Sequence, residues 1–304
     1  MTANGSRRVS RRDLRVKAPK RGARIDGVVG TMCTLEGCGS HAHMPPLVVP
    51  EADRRAFLMG LAGLPIAAVL ADPALAEVTA SSLEMVSIPV ENNPPLPAAI
   101  AYPKAEKAPA LVIVHEWWGL NDQIKTVAAE FAAQGHLVVA VDLFGAVARD
   151  AAEAKALMSG LDPRRATAQM VAAIAFARAH ERGNGKVATC GWCFGGGWSL
   201  NTSLATPVDA TVIYYGNVKK TPDQLKALKG PVLGHFATQD KSIDAAMVAG
   251  FEQAMKEAGL ADRLTLFWYD ADHAFANPTG ARWDAEDAAL AWDRTLNFLK
   301  KALA

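Results

Sequence analysis

Residues 186–200 read KVATCGWCFGGGWSL, and the order of residue types in this stretch decides the fold. The apolar, β-branched run 187–190 predicts a buried strand. It ends in Gly191-Trp192-Cys193-Phe194-Gly195, a G-x-C-x-G pentapeptide, and Gly196 and Gly197 lead on into a helix. Strand, sharp turn and helix, with glycine two positions either side of a nucleophile, make the nucleophile-elbow pattern, here with cysteine in place of the commoner serine. The spacing has a steric cause. The middle residue sits in a strained backbone conformation, and side chains two positions away on either side would collide unless they were hydrogen. The turn sets Cys193 at a helix N-terminus, where peptide dipoles favour a thiolate and the Phe194 N–H can face a developing oxyanion. Cys190-Gly191-Trp192-Cys193 is also a CxxC, so the alternative reading is a periplasmic thiol-disulfide protein using Cys190 and Cys193. Cys190 is expected inside the strand rather than on the first helical turn, which favours the elbow.

The chain has 304 residues, a formal net charge of +1 and 50% hydrophobic residues, a length that suggests about two domains. Its N-terminal quarter lowers that count. Residues 53–77 read DRRAFLMGLAGLPIAAVLADPALAE: paired Arg54 and Arg55, an uncharged stretch from 56 to 71, then Ala74-Leu75-Ala76 before Glu77. This pattern predicts a twin-arginine export signal over residues 53–76. The apolar run is interrupted by Gly60, Gly63 and Pro65 and is shorter than the roughly 20 residues that cross a bilayer. The expected product is therefore periplasmic or secreted, with a transient visit to the twin-arginine export machinery and no stable membrane association after cleavage. Residues 1–52 are expected to be a basic, unstructured extension, which translation from Met32 or Met44 would shorten. The 11 Lys and Arg and 6 Asp and Glu of residues 1–76 leave 21 basic and 25 acidic side chains in residues 77–304. That acidic balance excludes a phosphate-backbone binder, so no nucleic-acid partner is expected. Of the 4 cysteines, Cys190 and Cys193 remain in this region, too close together to form a disulfide framework.

Residues 77–304 read as one domain of alternating strands and helices. Segments 83–90 and 98–102, separated by Asn92-Asn93-Pro94-Pro95, predict an antiparallel hairpin at a sheet edge. Beyond it, apolar runs at 110–114, 137–141, 187–190, 210–215, 232–236 and 264–269 predict strands. Helical stretches lie between them at 126–134, at 151–182 with a break near 160–163, and at 247–257, and a closing helix spans about 282–301. This is the signature of βαβ units and a mostly parallel central sheet with helices on both faces. The residues able to do chemistry fall at the C-terminal ends of successive strands, where open parallel sheets bind ligands.

In an elbow enzyme the nucleophile, acid and base follow in that chain order. Cys193, Asp240 and His273 fit. His273 would take the thiol proton and pass one to the leaving group, while Asp240 fixes its tautomer and stabilises the imidazolium. Asp244, Asp270 and Asp272 compete for the acid role; Asp240 is preferred for its place closest to a strand end, and Asp244 is expected to be solvated or capping. The loop 115–119 is expected to supply the second oxyanion donor, the Trp117 N–H. Glu116 beside it is either a solvated acid or a second partner for the thiol proton. The His and Cys residues are not at ligand spacing, so neither a metal nor a cofactor is expected.

Together HEWWGLN at 115–121, DLFG at 142–145, GWCFGGG at 191–197, YYG at 214–216 and DADHAFAN at 270–277 resemble the dienelactone hydrolase (carboxymethylenebutenolidase) family. The resemblance spans most of residues 83–303. It implies an α/β-hydrolase fold, Cys193, Asp240 and His273 as triad, Phe194 and Trp117 as oxyanion hole, and a Glu116 that keeps the cysteine at rest until substrate arrives. The expected reaction is the opening of a small-molecule lactone or carboxylic ester through an acyl-cysteine. Family members that cleave dienelactone hold the substrate carboxylate with arginines, one of them four residues after the histidine, where this chain has Asn277. Arg149, Arg164 and Arg165 are the other cations on offer. Trp118, Tyr215, Phe275 and Asn277 are expected at the substrate, within an aromatic pocket that also draws on Trp117, Phe144, Trp192 and Phe194.

Overall fold

The computed structural model describes residues 73–304. The basic extension, Arg54-Arg55 and the apolar run therefore lie outside the described residues, as do Cys33 and Cys38. Eight strands form one sheet: β1 (Glu84–Ile88), β2 (Leu96–Ala101), β3 (Ala108–Val114), β4 (Leu137–Val141), β5 (Gly183–Trp192), β6 (Ala210–Tyr214), β7 (Val232–Ala237) and β8 (Leu264–Tyr269). Their spatial order is β1-β2-β4-β3-β5-β6-β7-β8. β1 and β2 are antiparallel and β2 is antiparallel to β4; every pairing from β4 to β8 is parallel. The expected edge hairpin and the expected parallel core are both present.

The pleat explains the burial. In β3, Leu111 and Ile113 join the core on one face while Ala110, Val112 and Val114 join the core on the other, because successive side chains point to opposite sides. Every residue from 110 to 114 is inaccessible to solvent, as a parallel strand covered by helices on both faces should be. The helices α2 (Asp122–Ala133) and α8 (Ala285–Ala302) cover the first face. Phe131 of α2 is fully buried there, and burying a side chain of that size contributes about 1.5–3 kcal/mol. The helix α4 (Pro163–Ala179) places Met170 and Ile174 on the second face, and a third cluster gathers Phe236 with Val248, Phe251 and Met255 of α7 (Ala245–Glu257).

The break near 160–163 separates α3 (Ala151–Gly160) from α4. The Asp162 carboxylate accepts from the Arg164 N–H and Pro163 occupies the first turn, the two signals that start a helix. The remaining helices are α5 (Phe194–Ala205), the four-residue α6 (Pro222–Leu225), and α1 (Pro73–Ser81), which packs on α2. Sequence periodicity does not announce α1. It crosses the expected cleavage point before Glu77. β5 starts at Gly183, four residues before the apolar run that betrays it, because pairing with β3 begins at the polar end. Among the described residues no helix is long and apolar enough to cross a membrane.

Candidate active site

Cys193 follows the last residue of β5 with φ 53° and ψ −115°, a left-handed φ that a side-chain-bearing residue occupies only under constraint. The constraint is visible. Its N–H donates to the Tyr214 carbonyl at 3.0 Å, and its carbonyl accepts from the N–H groups of Gly196 and Gly197. A Cβ on Gly191 would lie 2.1 Å from the Gly195 carbonyl oxygen, and one on Gly195 would lie 2.2 Å from that of Val114. The first glycine thus clears the turn itself. The second clears the neighbouring strand, which lets the helix start close against β3.

The His273 Nδ1 lies 2.6 Å from Asp240 Oδ2, and the half-buried Cys193 thiol is near enough to help raise the imidazole pKa. Asp240 follows β7 and His273 follows β8, so adjacent parallel strands bring residues distant in sequence to one spot. The other carboxylate oxygen, Asp240 Oδ1, accepts from the N–H groups of Ser242 at 2.7 Å and Ile243 at 3.0 Å. Burial alone would raise the Asp240 pKa, but His273 and these backbone donors outweigh it and hold the carboxyl below its ordinary value. For His273 burial lowers the pKa; the hydrogen bond to Asp240 and the nearby Cys193 thiol overcome it and push the imidazole up to about 10. The competing acids are engaged elsewhere. Asp244 caps α7 by accepting from the Met247 N–H, Asp270 accepts from Thr238 Oγ1 and Gln239, and Asp272 accepts from the His273 backbone N–H.

Glu116 is buried, 4% exposed. Tyr215 Oη donates to Glu116 Oε1 at 3.2 Å, and Asn277 Nδ2 donates to Oε2 at 2.7 Å. Burial raises the Glu116 pKa against the opposing pull of these two donors and of the more distant charges of His273 and Arg282. Glu116 is therefore not the solvated loop acid of the first alternative. The four residues expected at the substrate divide. Trp118 is half-buried and packs edge-on against Trp117 at 5.0 Å. Tyr215 and Phe275 have no exposed surface for a substrate to touch, and Asn277 is 6% exposed, with its amide oxygen taken up by Thr279. This corrects the sequence-based expectation: these three support the site from behind. The reason is geometric, since the tight loop after β8 turns Phe275 onto Tyr215 and Tyr269, at 5.5 and 4.7 Å between ring centres.

Of the cations on offer, Arg149 pairs with Glu153 at 3.0 Å, and Arg164 stands in the first turn of α4, its backbone N–H donating to the Asp162 cap. Arg282, on the loop after β8, is the arginine whose charge reaches Glu116. It was missed because no periodicity or motif marks a loop residue nine positions beyond His273.

His115 had no assigned role although it opens the HEWWGLN motif. It is fully buried; its Nδ1–H donates to the Glu116 carbonyl at 2.5 Å, and its Nε2 accepts from the Leu143 N–H at 3.2 Å. Those two bonds require a neutral ring, in keeping with the burial that lowers its pKa. The imidazole ties the loop carrying Glu116 and Trp117 to the turn after β4. The Trp117 N–H and the Phe194 N–H have no acceptor among the described residues. The Phe194 N–H is that of the first residue of α5, directly after Cys193.

Comparison with known proteins agrees with this geometry. Residues 96–303 match the model of the dienelactone hydrolase family. The chain is 30% identical over 229 residues to the carboxymethylenebutenolidase of Pseudomonas putida, covering 71% of this chain and 95% of that one. A crystal structure from Klebsiella pneumoniae, of a protein assigned as a dienelactone hydrolase, superposes with a TM-score of 0.65 at 25% identity over 72% of this chain and 98% of that one. The fold also matches P91, a dienelactone hydrolase-like promiscuous phosphotriesterase from metagenomic libraries. That match has a TM-score of 0.67 at 21% identity and covers 73% of this chain and 98% of that one. The chain belongs to the dienelactone hydrolase family and is a hydrolase of the α/β-hydrolase fold.

Proposed function

We propose that the protein cleaves a carboxylic ester or lactone through an acyl-cysteine intermediate. The observation that carries this reading is the hydrogen bond from Asp240 to His273, with the Cys193 thiol within electrostatic reach of the same imidazole. In this arrangement, His273 holds the thiol proton as the imidazolium that its raised pKa favours, and the sulfur bonds to the substrate carbonyl carbon as thiolate. The carbonyl oxygen gains the electron pair between the N–H groups of Trp117 and Phe194. Collapse expels the alkoxide, which leaves with the proton held on His273; in a lactone it stays attached as the new hydroxyl. Water, deprotonated by His273, then attacks the thioester and releases the acid and the thiol. Glu116, pinned by Tyr215 and Asn277, is a second site for the thiol proton in the resting enzyme. The test is mass spectrometry of the protein quenched during turnover of aryl esters and small lactones, with and without a carboxylate. An adduct on Cys193 equal in mass to the acyl group is expected. Steady turnover of these substrates by Cys193→Ala would refute the mechanism.

The thiol-disulfide alternative is not favoured. Cys190 is fully buried within β5, burial holds its thiol well above the ordinary pKa, and both cysteines are free. A CxxC redox pair needs an accessible thiolate.

From Arg54-Arg55, the uncharged run after them and Ala74-Leu75-Ala76 we further propose that the enzyme is periplasmic or secreted, exported and cut before Glu77. Fractionation is expected to recover a shortened protein outside the cytoplasm, and Arg54→Lys with Arg55→Lys is expected to retain the full-length chain inside. A full-length cytosolic product from the native sequence would overturn it.

A further inference from the structure

Between α2 and α8, beneath the loop that follows His273, lies a cavity of about 380 Å³. Cys193, Asp240, His273 and Glu116 are not among its walls. Its inner wall is aromatic and fixed by packing. Trp192 stacks on Tyr214 with ring centres 5.4 Å apart, and Phe131 wedges between Trp192 and Trp292 at 6.4 and 4.3 Å. Trp283, 40% exposed, stands at the mouth. The charged residues lining the cavity are Glu130 and the exposed Asp293, both acids. Neither has an ion-pair partner among the described residues, and Glu130 accepts only from the neutral Gln134 amide. Burial works against the Glu130 charge, so a positive ligand would relieve a cost the protein already bears.

Ring faces carry a negative quadrupole that attracts cations, and desolvated aromatic cages are the sites proteins use for quaternary ammonium groups. We propose that this cavity is a binding site for a small organic cation, an alkyl- or arylammonium, distinct from the ester-cleaving site. The apolar walls take the hydrocarbon part, the tryptophan faces take the cationic head, and Glu130 and Asp293 supply the counter-charge. A neutral ligand would leave both carboxylates uncompensated, and an anion would be repelled by them. Trp192 immediately precedes Cys193, and Ala276 and Pro278 in the cavity wall flank Asn277, the donor that holds Glu116. A bound cation therefore touches the two segments that position the nucleophile and its buried acid.

The probe is benzyltrimethylammonium, followed by tryptophan fluorescence and calorimetry on the purified protein, beside its neutral isostere neopentylbenzene. Saturable binding of the cation is expected, at least about tenfold tighter than that of the isostere. The double variant Glu130→Gln, Asp293→Asn is expected to weaken the cation by about tenfold while leaving the isostere unchanged. Trp283→Ala, at a surface position that a folded protein tolerates, should weaken both. Alkylation of Cys193 with iodoacetamide should leave cation binding intact. Equal affinity for the two probes, no saturable binding, insensitivity to the double variant, or loss of binding on alkylation would each overturn the assignment; the last would place the cation in the catalytic pocket.

Discussion

His273 and His235 are both largely removed from water, and their partners drive them in opposite directions. His235, fully buried on β7, places Nδ1 2.7 Å from Tyr269 Oη and Nε2 2.9 Å from Thr295 Oγ1, and Thr295 in turn meets Tyr214 Oη at 2.6 Å. Burial, with the nearby Arg294 charge adding to it, lowers its pKa to about 3. At His273 the same burial is overcome by a carboxylate and a thiol, and the pKa rises to about 10. Burial by itself taxes the charged ring, and only an anionic partner reverses the sign. One histidine is thereby a neutral cross-link between β7, β8 and α8; the other is built to carry a proton.

The sharpest way to break this contrast is at the reacting end. Cys193→Ala and His273→Ala are each expected to lose on the order of 10⁴-fold or more in kcat, read with aryl esters, while retaining native circular dichroism. Asp240→Asn should cost about 10³–10⁴-fold. It should also pull the alkaline limb of kcat/KM down from about pH 10 towards the ordinary histidine value of 6.5, because the anion that holds the proton is gone. An unmoved limb would mean that Asp240 does not set the His273 charge.

At the structural end, His235→Ala removes two buried hydrogen bonds and leaves a cavity, and is expected to cost about 2–3 kcal/mol in urea unfolding with little change in kcat. The pH dependence carries opposite signs at the two rings. At His235 the unfolded chain takes up a proton near pH 6.5 that the native ring refuses until about 3, so its contribution is whole above 6.5 and lost as pH falls. At His273 the contribution is whole below 6.5 and lost as pH rises through about 10. Stability measured across pH 4–7 should therefore slope less in His235→Ala than in the native protein. The smallest effect is expected at Cys190→Ala, about 1 kcal/mol of stability with an unchanged rate; a large rate loss there would revive the CxxC reading.

The elbow and the succession of strands along the chain were legible because each rests on local rules: a run of β-branched residues, glycines at fixed offsets, a proline or aspartate opening a helix. The pairing of Asp240 with His273 could be named from chain order, since parallel strands place the ends of β7 and β8 side by side. What could not be read were roles that depend on which way a side chain leaves a loop. Tyr215, at φ 36°, and Asn277 look like pocket residues by type and position, yet both turn inward to Glu116. His115 looks incidental until its two nitrogens are seen joining separate loops.

The sequence by itself determined the parallel sheet, the strained cysteine and the pairing of Asp240 with His273, because steric rules within a few residues and the chain order of parallel strands leave them little freedom. Only the tertiary structure decided that Glu116 is buried and held by neutral donors, that His235 and His273 titrate in opposite directions, and that an acidic aromatic cavity lies between α2 and α8. Those properties come from solvent exclusion and from contacts across tens of residues. A buried charge answers to everything packed around it, and no local pattern encodes that neighbourhood.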